Sequence, residues 1–196
     1  ITKEQCSQYV LWATVDTEDE RFYEHNGVDI KGILRAVVAQ LSGGSEGAST
    51  ITQQLVRNTV LSDEQFEQTL SRKVREAYIA TQLEQMYSKD DILMMYLNSI
   101  YYGAGCYGIE AAAQTYFGKS CADLTIAEAA TLAGLPQSPS YYNPLANPES
   151  AIERRNVVLA HLLDKGHITQ QEYDDAVASD LVLNYTPPEK SGAYAY

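Results

Sequence analysis

Residues 88–98 read SKDDILMMYLN, a helix-start signal followed by an apolar run that leads to Asn98. A serine such as Ser88 that is followed by acidic residues is typical of a helix start. The segment at residues 101–108 reads YYGAGCYG, and its three glycines break a helix. This part of the chain therefore predicts a helix followed by a loop, which favours an α-helical fold.

Similar start and stop signals recur along the chain. Ser62 and Gln65 form a capping box that predicts a long amphipathic helix through about Tyr87. Further helices are predicted over IEAAAQTYF before Gly118, after the capping boxes Thr125–Glu128 and Thr169–Glu172, and after Asn147 with Pro148 at the first helical position. Only residues 181–185, LVLNY, hint at a strand. The predicted fold class is mainly α.

Composition limits the kind of protein. The 196 residues suit one domain, or one domain with an inserted lobe, and 45% apolar residues are enough for a core. A formal net charge of −12 argues against nucleic-acid binding, because nucleic-acid binders present a basic surface. An anionic ligand would therefore need a local cluster of cations.

The cysteines and the chain start give two open interpretations. Cys6, Cys106 and Cys121 match neither a redox pair nor a zinc pattern, so a Cys106–Cys121 bridge and free buried thiols both remain open. No signal peptide is present, and no apolar run approaches the ~20 residues that cross a bilayer. Because the first residue is Ile1, we expect a fragment or a processed chain, in which an upstream membrane anchor would leave no trace.

Residues 28–61 differ from the rest, since they are acid-poor, rich in Ile, Val, Leu and Ala, and interrupted by SGGSEGAST. They could form a core helix followed by a flexible loop, or a mobile apolar lobe that touches lipid at a membrane surface. The last residues, 185–196, have the composition of a linker to another domain.

A cluster of cations surrounds one acid in SRKVREAY. Residues three and four apart share a helix face, so Arg72 and Lys73 lie beside Glu76, with Arg75 adjacent to it in sequence. One interpretation is a surface ion pair worth only ~0.3–0.5 kcal/mol. The other is an anion pocket for phosphate, in which Glu76 orients the cations or holds a divalent ion.

A second candidate phosphate site is GASTITQQLVRN, residues 47–58. If Ser49 begins a helix, its hydroxyl and the free N–H groups make a phosphate seat, with Arg57 nearby. The alternative is an N-cap with no ligand.

Residues 17–25, TEDERFYEH, offer a candidate general base. Burial against Phe22 and the neighbouring acids would raise the pKa of Glu18, as a base acting on a sugar hydroxyl requires. The alternative is a solvent-facing acid, and His25 is expected to be structural. Farther along, Arg154 or Arg155 would point into the same cleft, and spacing does not decide which.

Together these segments resemble the peptidoglycan glycosyltransferases of family 51, found as a domain of bifunctional class A penicillin-binding proteins. The five motifs are Glu18-Asp19…Phe22…His25…Gly27, Gly47…Ser49–Gln54, Arg72-Lys73…Glu76, Lys89…Ile92-Leu93…Tyr96-Leu97-Asn98, and Arg154-Arg155…Val158-Leu159. The resemblance covers roughly residues 10–180. Ala48 departs from it, since the family commonly has a second glycine there.

The resemblance implies a lysozyme-like helical lobe with a smaller membrane-facing jaw lobe at about residues 28–61. The glycosyltransferase domain would span residues 1–184, and residues 185–196 would lead to a transpeptidase domain. By the same resemblance, an N-terminal helix that precedes this segment anchors the enzyme at the outer face of the bacterial cytoplasmic membrane. The loop around residues 41–47 should be poorly ordered without lipid or inhibitor.

The reaction implied is the inverting polymerisation of lipid II into β-1,4-linked glycan, with release of undecaprenyl pyrophosphate. Glu18 is implied as the general base, and Glu76 as a second essential carboxylate that holds Mg²⁺ or Mn²⁺ together with the pyrophosphate. The partners implied are lipid II, the growing glycan strand and the membrane, and moenomycin should bind the cleft. The residues expected to bind substrate are Asp19, Ser49, Thr50, Gln53, Gln54, Arg57, Arg72, Lys73, Arg75, Asn98 and Arg155.

Two other functions remain as alternatives. A lysozyme-like peptidoglycan hydrolase would also use two acids across a cleft, but it has no need for the cations around Glu76. The other alternative is a catalytically inactive cell-wall-binding domain.

Overall fold

The computed structural model describes residues 1–187 except 44–46, 65 and 68. This part of the chain is mainly helical, as the sequence predicted. Its α-helices are α1 (Gln8–Glu18), α2 (Ile30–Leu41), α3 (Ile51–Thr59), α4 (Leu70–Met86), α5 (Lys89–Ser99), α6 (Ile109–Phe117), α7 (Ile126–Gly134), α8 (Pro148–Asp164) and α9 (Gln170–Ala178). Short 3-10 helices lie at Lys3–Gln5, Ser62–Glu64 and Cys121–Asp123.

Most helices begin where the start signals predicted. Capping boxes close on Ser88, Thr125 and Thr169, each with its side chain accepting the N–H three residues on. The long helix predicted from Ser62 is wrong at its start. Ser62–Glu64 makes only a 3-10 turn, and α4 begins at Leu70 because the side chain of Thr69 accepts the N–H of Arg72 and takes the N-cap position.

Two apolar clusters share α1 and α7. One packs α1 with α3, α5, α6 and α7, and the other packs α1 and α7 with α8 and α9. Of the apolar run at residues 88–98, Ile92, Leu93, Tyr96 and Leu97 are each buried. Helix α5 therefore contributes buried residues of this run to the larger cluster, where it packs against α3 and α6.

Helix α2 is packed differently from the others. Gly32 is its buried residue, whereas Ile30, Leu34, Val38 and Leu41 are 62–85% exposed. Their spacing places them along one stripe of the helix. Among the residues described, none of the helices has the length and hydropathy to cross a bilayer.

The remaining expectations concern the strand at residues 181–185, the loop, the domain bounds and the cysteines. Residues 181–185 are not a strand; they have no regular secondary structure, and Asn184 N donates to the Tyr116 carbonyl, at the end of α6. The loop expected to be poorly ordered, residues 41–47, and the predicted linker, residues 185–196, include residues outside those described. The proposed division at residue 184, like the jaw at 28–61, stays a prediction. The neighbour of Cys121 is Cys6 and not Cys106, and all three are free thiols.

Candidate active site

A cleft of about 710 Å³ opens where the end of α1, the start of α3 and one face of α8 meet. Glu18 lines it from α1, Ser49, Gln54 and Arg57 line it from α3 and the segment before it, and Arg154 lines it from α8. Residues that are distant in sequence therefore line one cleft, as the motifs predicted.

Glu18 is held in the cleft by a short chain of hydrogen bonds. Gln54 Nε2 donates to Glu18 Oε2 at 2.9 Å, and the Tyr96 hydroxyl donates to Gln54 Oε1 at 3.1 Å. Burial raises the pKa of Glu18, while the Gln54 hydrogen bond and the charges of Arg154 and Arg57 oppose the rise. A carboxylate with a raised pKa suits a general base.

Asp19, the residue after Glu18, is held by hydrogen bonds within the protein. Its carboxylate accepts the Ile51 N–H at 3.0 Å and is bonded to His25 Nε2 at 2.9 Å, and its side chain is only 3% exposed. These contacts tie the start of α3 to the segment after α1. Asp19 also lines the cleft, so its predicted role in binding substrate stays a prediction. His25 is structural, as predicted.

The N-terminus of α3 is built into the protein interior. Thr50 is the N-cap, one residue later than predicted: its Oγ1 accepts the Gln53 N–H and donates to the Gly27 carbonyl at 2.7 Å. The absence of a side chain at Gly27 lets this segment lie against α4, because a Cβ there would meet the backbone of Ala80 at 2.8 Å. The Ile51 N–H donates to Asp19 and the Gln53 N–H donates to Thr50 Oγ1. Because both N–H groups have partners within the protein, they are not available for the predicted phosphate site.

Glu76 lies at the centre of a buried ion cluster. It is fully buried and accepts from Arg72 Nη1 at 2.6 Å, from Lys73 Nζ and from Gln53 Nε2 at 3.3 Å. The surface ion-pair interpretation is therefore wrong for Arg72 and Lys73. Lys73 stays 40% exposed and also donates to Ser49 Oγ at 2.9 Å, which joins the cluster to the cleft lining.

Six of the predicted substrate-binding residues lie outside the cleft lining: Gln53, Arg72 and Lys73, which belong to the cluster around Glu76, and Arg75, Asn98 and Arg155. Arg75 pairs with Glu64 on the surface, and Asn98 bonds the backbone of Ile1. Arg155 is 2% exposed and donates to the carbonyls of Ser179 and Val177 at 2.9 and 3.0 Å. The arginine of that pair that reaches the cleft is Arg154, because a helix turns neighbouring residues by about 100°.

The far side of the cleft contains residues that the motifs did not identify. Asp16, Thr17, His161 and Lys165 line it, and Glu20 bonds both Arg35 of α2 and Lys165 after α8. His161 follows Arg154 by two helical turns, so face spacing on α8 could have found it. Burial, with the charge of Arg154, lowers the pKa of His161.

Comparisons with known proteins give the same family. A family model described as Transglycosylase matches residues 1–163. The chain is 50% identical over 191 residues to penicillin-binding protein 1A of Escherichia coli (strain K12), covering 96% of this chain and 22% of that protein. It is 44% identical over 185 residues to penicillin-binding protein 1A of Aquifex aeolicus (strain VF5), covering 93% of this chain and 25% of that protein.

A crystal structure of penicillin-binding protein 1A from Haemophilus influenzae is also similar, with 48% identity and a TM-score of 0.49 over 53% of this chain and 15% of that one. The chain thus spans about a fifth to a quarter of the length of the two curated relatives named above.

Proposed function

This chain belongs to the transglycosylase family, and from that premise we propose that it polymerises lipid II into β-1,4-linked glycan strands and releases undecaprenyl pyrophosphate. The observation that carries the proposal is the position of Glu18, a cleft carboxylate with a raised pKa that is held by Gln54. A buried ion cluster reaches the same cleft through Ser49. Glu18, at one end of the cleft, can take a proton, and the cations at the other end can bind an anion.

The proposed step is an in-line displacement at a sugar carbon. Glu18 takes the proton from the 4-hydroxyl of the N-acetylglucosamine of lipid II. The oxygen attacks C1 of the N-acetylmuramic acid at the reducing end of the growing strand, and the bond from C1 to the pyrophosphate breaks. Attack from the face opposite the leaving group turns an α-linked donor into a β-linked product.

The leaving pyrophosphate gains negative charge, so cations fixed in advance should supply the largest catalytic effect. Lys73 and Arg57 are the cations proposed to meet it, together with the hydroxyl of Ser49. Arg72, Glu76 and Gln53 are buried behind them and keep the ammonium of Lys73 in place. Fixed positions matter because a rigid cluster does not reorganise as the charge develops.

The divalent cation is a separate proposal. Both oxygens of Glu76 are engaged, one by Arg72 and the other by Lys73 and Gln53, so the carboxylate does not fit a metal as arranged here. Among the residues described, no three His, Cys, Asp or Glu side chains are grouped to hold an ion. The predicted metal stays a prediction, and no step above passes through it.

The membrane is the proposed source of the lipid substrate, and α2 is the proposed contact. Its exposed stripe of Ile30, Leu34, Val38 and Leu41 is apolar, and such a stripe inserts into the interface of a bilayer. Placement at the outer face of the cytoplasmic membrane, and a transpeptidase domain in the parent chain, belong to the same proposal.

Vesicle binding tests that contact. The variant Leu34→Asp should lose most co-sedimentation with neutral phosphatidylcholine vesicles, whereas Gln40→Asp, which adds the same single charge at an exposed polar position of α2, should not. Equal binding by both variants would remove α2 as the contact.

The activity itself is tested by supplying lipid II to the purified chain and separating the products by size. Glycan polymer is the expected result. Release of reducing ends from finished peptidoglycan without polymer would favour the hydrolase. Binding of lipid II with neither product would favour the inactive binding domain.

A further inference from the structure

We propose that Cys6 and Cys121 are joined by a structural disulfide when the chain folds under oxidising conditions. Their Sγ atoms lie 3.2 Å apart although 115 residues separate them in sequence. Both side chains are buried in the larger apolar cluster. The pair is outside the cleft and has no part in the transfer reaction.

The backbone supports the pairing. Ser7 N donates to the Cys121 carbonyl at 3.3 Å, which holds the segment before α1 beside the 3-10 turn between α6 and α7. A disulfide needs sulfur atoms about 2.05 Å apart on neighbouring backbones. The two sulfur atoms would have to approach each other by about 1 Å to form the bond.

Cys106 is a control that the chain already contains. It is buried like the other two, but its Sγ approaches the Ala104 carbonyl at 3.8 Å instead of a thiol. Burial alone therefore does not bring cysteines together in this fold. The two thiols that meet lie on segments joined by the hydrogen bond from Ser7 N, next to Cys6, to the Cys121 carbonyl.

The chemistry is thiol–disulfide exchange with an oxidised dithiol protein or oxidised glutathione. The hydrogen bond from Cys6 lowers the pKa of the Cys121 thiol, which favours Cys121 as the attacking thiolate. It attacks the oxidant's disulfide and displaces one thiolate. Cys6 then attacks the mixed disulfide and releases the second thiolate. The two cysteines lose two protons and two electrons, and the oxidant becomes a protein dithiol or two glutathione thiols.

The bond would stabilise the fold by restraining the unfolded chain, because it closes a loop of more than a hundred residues. That an oxidising compartment surrounds the enzyme rests on the proposed function. The pairing itself does not, so it is tested in a defined redox buffer without any substrate.

The test is refolding of the 196-residue chain in reduced and oxidised glutathione, followed by thiol counting and peptide mapping under denaturing conditions. We expect one free thiol, on Cys106, and one linked peptide pair containing Cys6 and Cys121, lighter by two hydrogens. The thermal midpoint should rise by about 5–15 °C and fall again when reductant is added.

Two variants complete the test. Cys106→Ser should keep the linked pair and show no free thiol, while Cys6→Ser should lose the redox dependence of the midpoint. Three free thiols, glutathione on both partners, or a link to Cys106 would each overturn the proposal. Absence of lipid II polymerisation in the same sample would count against the proposed function and leave the disulfide standing.

Discussion

Glu18 and Glu76 belong to one site but occupy opposite surroundings. Glu18 faces the cleft and, among the residues described, takes a side-chain hydrogen bond from Gln54 alone. Glu76 is fully buried and is bonded to Arg72, Lys73 and Gln53. A carboxylate that acts as a base must be accessible to the substrate hydroxyl. A carboxylate that holds cations in place needs both of its oxygens in hydrogen bonds.

The largest expected effect is on catalysis at Glu18. Glu18→Gln removes the proton acceptor, so the rate of lipid II polymerisation should fall by about 10²–10⁴-fold. Thermal stability should be kept or slightly raised, because burial disfavours the charged form of Glu18. Initial rates and melting curves measure both, with Glu24→Gln, an exposed acid of the same segment, as the control. A near-normal rate would exclude Glu18 as the base.

The next effect is on stability at Glu76. Glu76→Gln leaves the buried charge of Arg72 uncompensated, and breaking such a pair costs about 3–5 kcal/mol of the free energy of unfolding. The matched control is Glu64→Gln, which removes an exposed partner of Arg75 in the same helix and should cost below about 1 kcal/mol. Chemical denaturation measures both. Equal losses would mean that the cluster around Glu76 is not an organising element.

A smaller contrast separates Arg154 from Arg155. Arg154→Ala removes a positive charge that acts on Glu18 and should lower turnover about 10-fold, less than loss of a direct donor to the reacting oxygen. Arg155→Ala leaves two backbone carbonyls without their donor and should lower the free energy of unfolding by about 2–3 kcal/mol, with turnover of the folded protein kept. If turnover fell in Arg155→Ala and stability fell in Arg154→Ala, Arg155 would be the arginine that acts in the cleft.

Local signals predicted much of this molecule. The capping boxes at Ser88, Thr125 and Thr169 depend on residues three apart, so the sequence shows them directly. The family resemblance implied that Glu18, Gln54 and Arg57 belong to one site, and all three line the cleft.

What the sequence did not predict depends on contacts between distant residues. Thr50 is engaged by the Gly27 carbonyl, and Cys121 meets Cys6, in both cases through packing that sequence spacing does not show. The choice of Arg154 over Arg155 depends on how α8 is rotated against its neighbours. Helix α4 begins at Leu70 and not after Ser62, because Thr69 provides the N-cap.

The most direct test of the account is the pH dependence of turnover in Gln54→Leu. Gln54 donates to the carboxylate and holds the pKa of Glu18 down, so its loss should raise that pKa further. Since the base acts only when deprotonated, the acidic limb of the profile should move to higher pH, with a smaller move in Tyr96→Phe. Gln137→Leu, which removes another amide of the cleft lining, should leave the limb in place. A limb at the same pH in Gln54→Leu and the unaltered chain would contradict the assignment of Glu18 as the catalytic base.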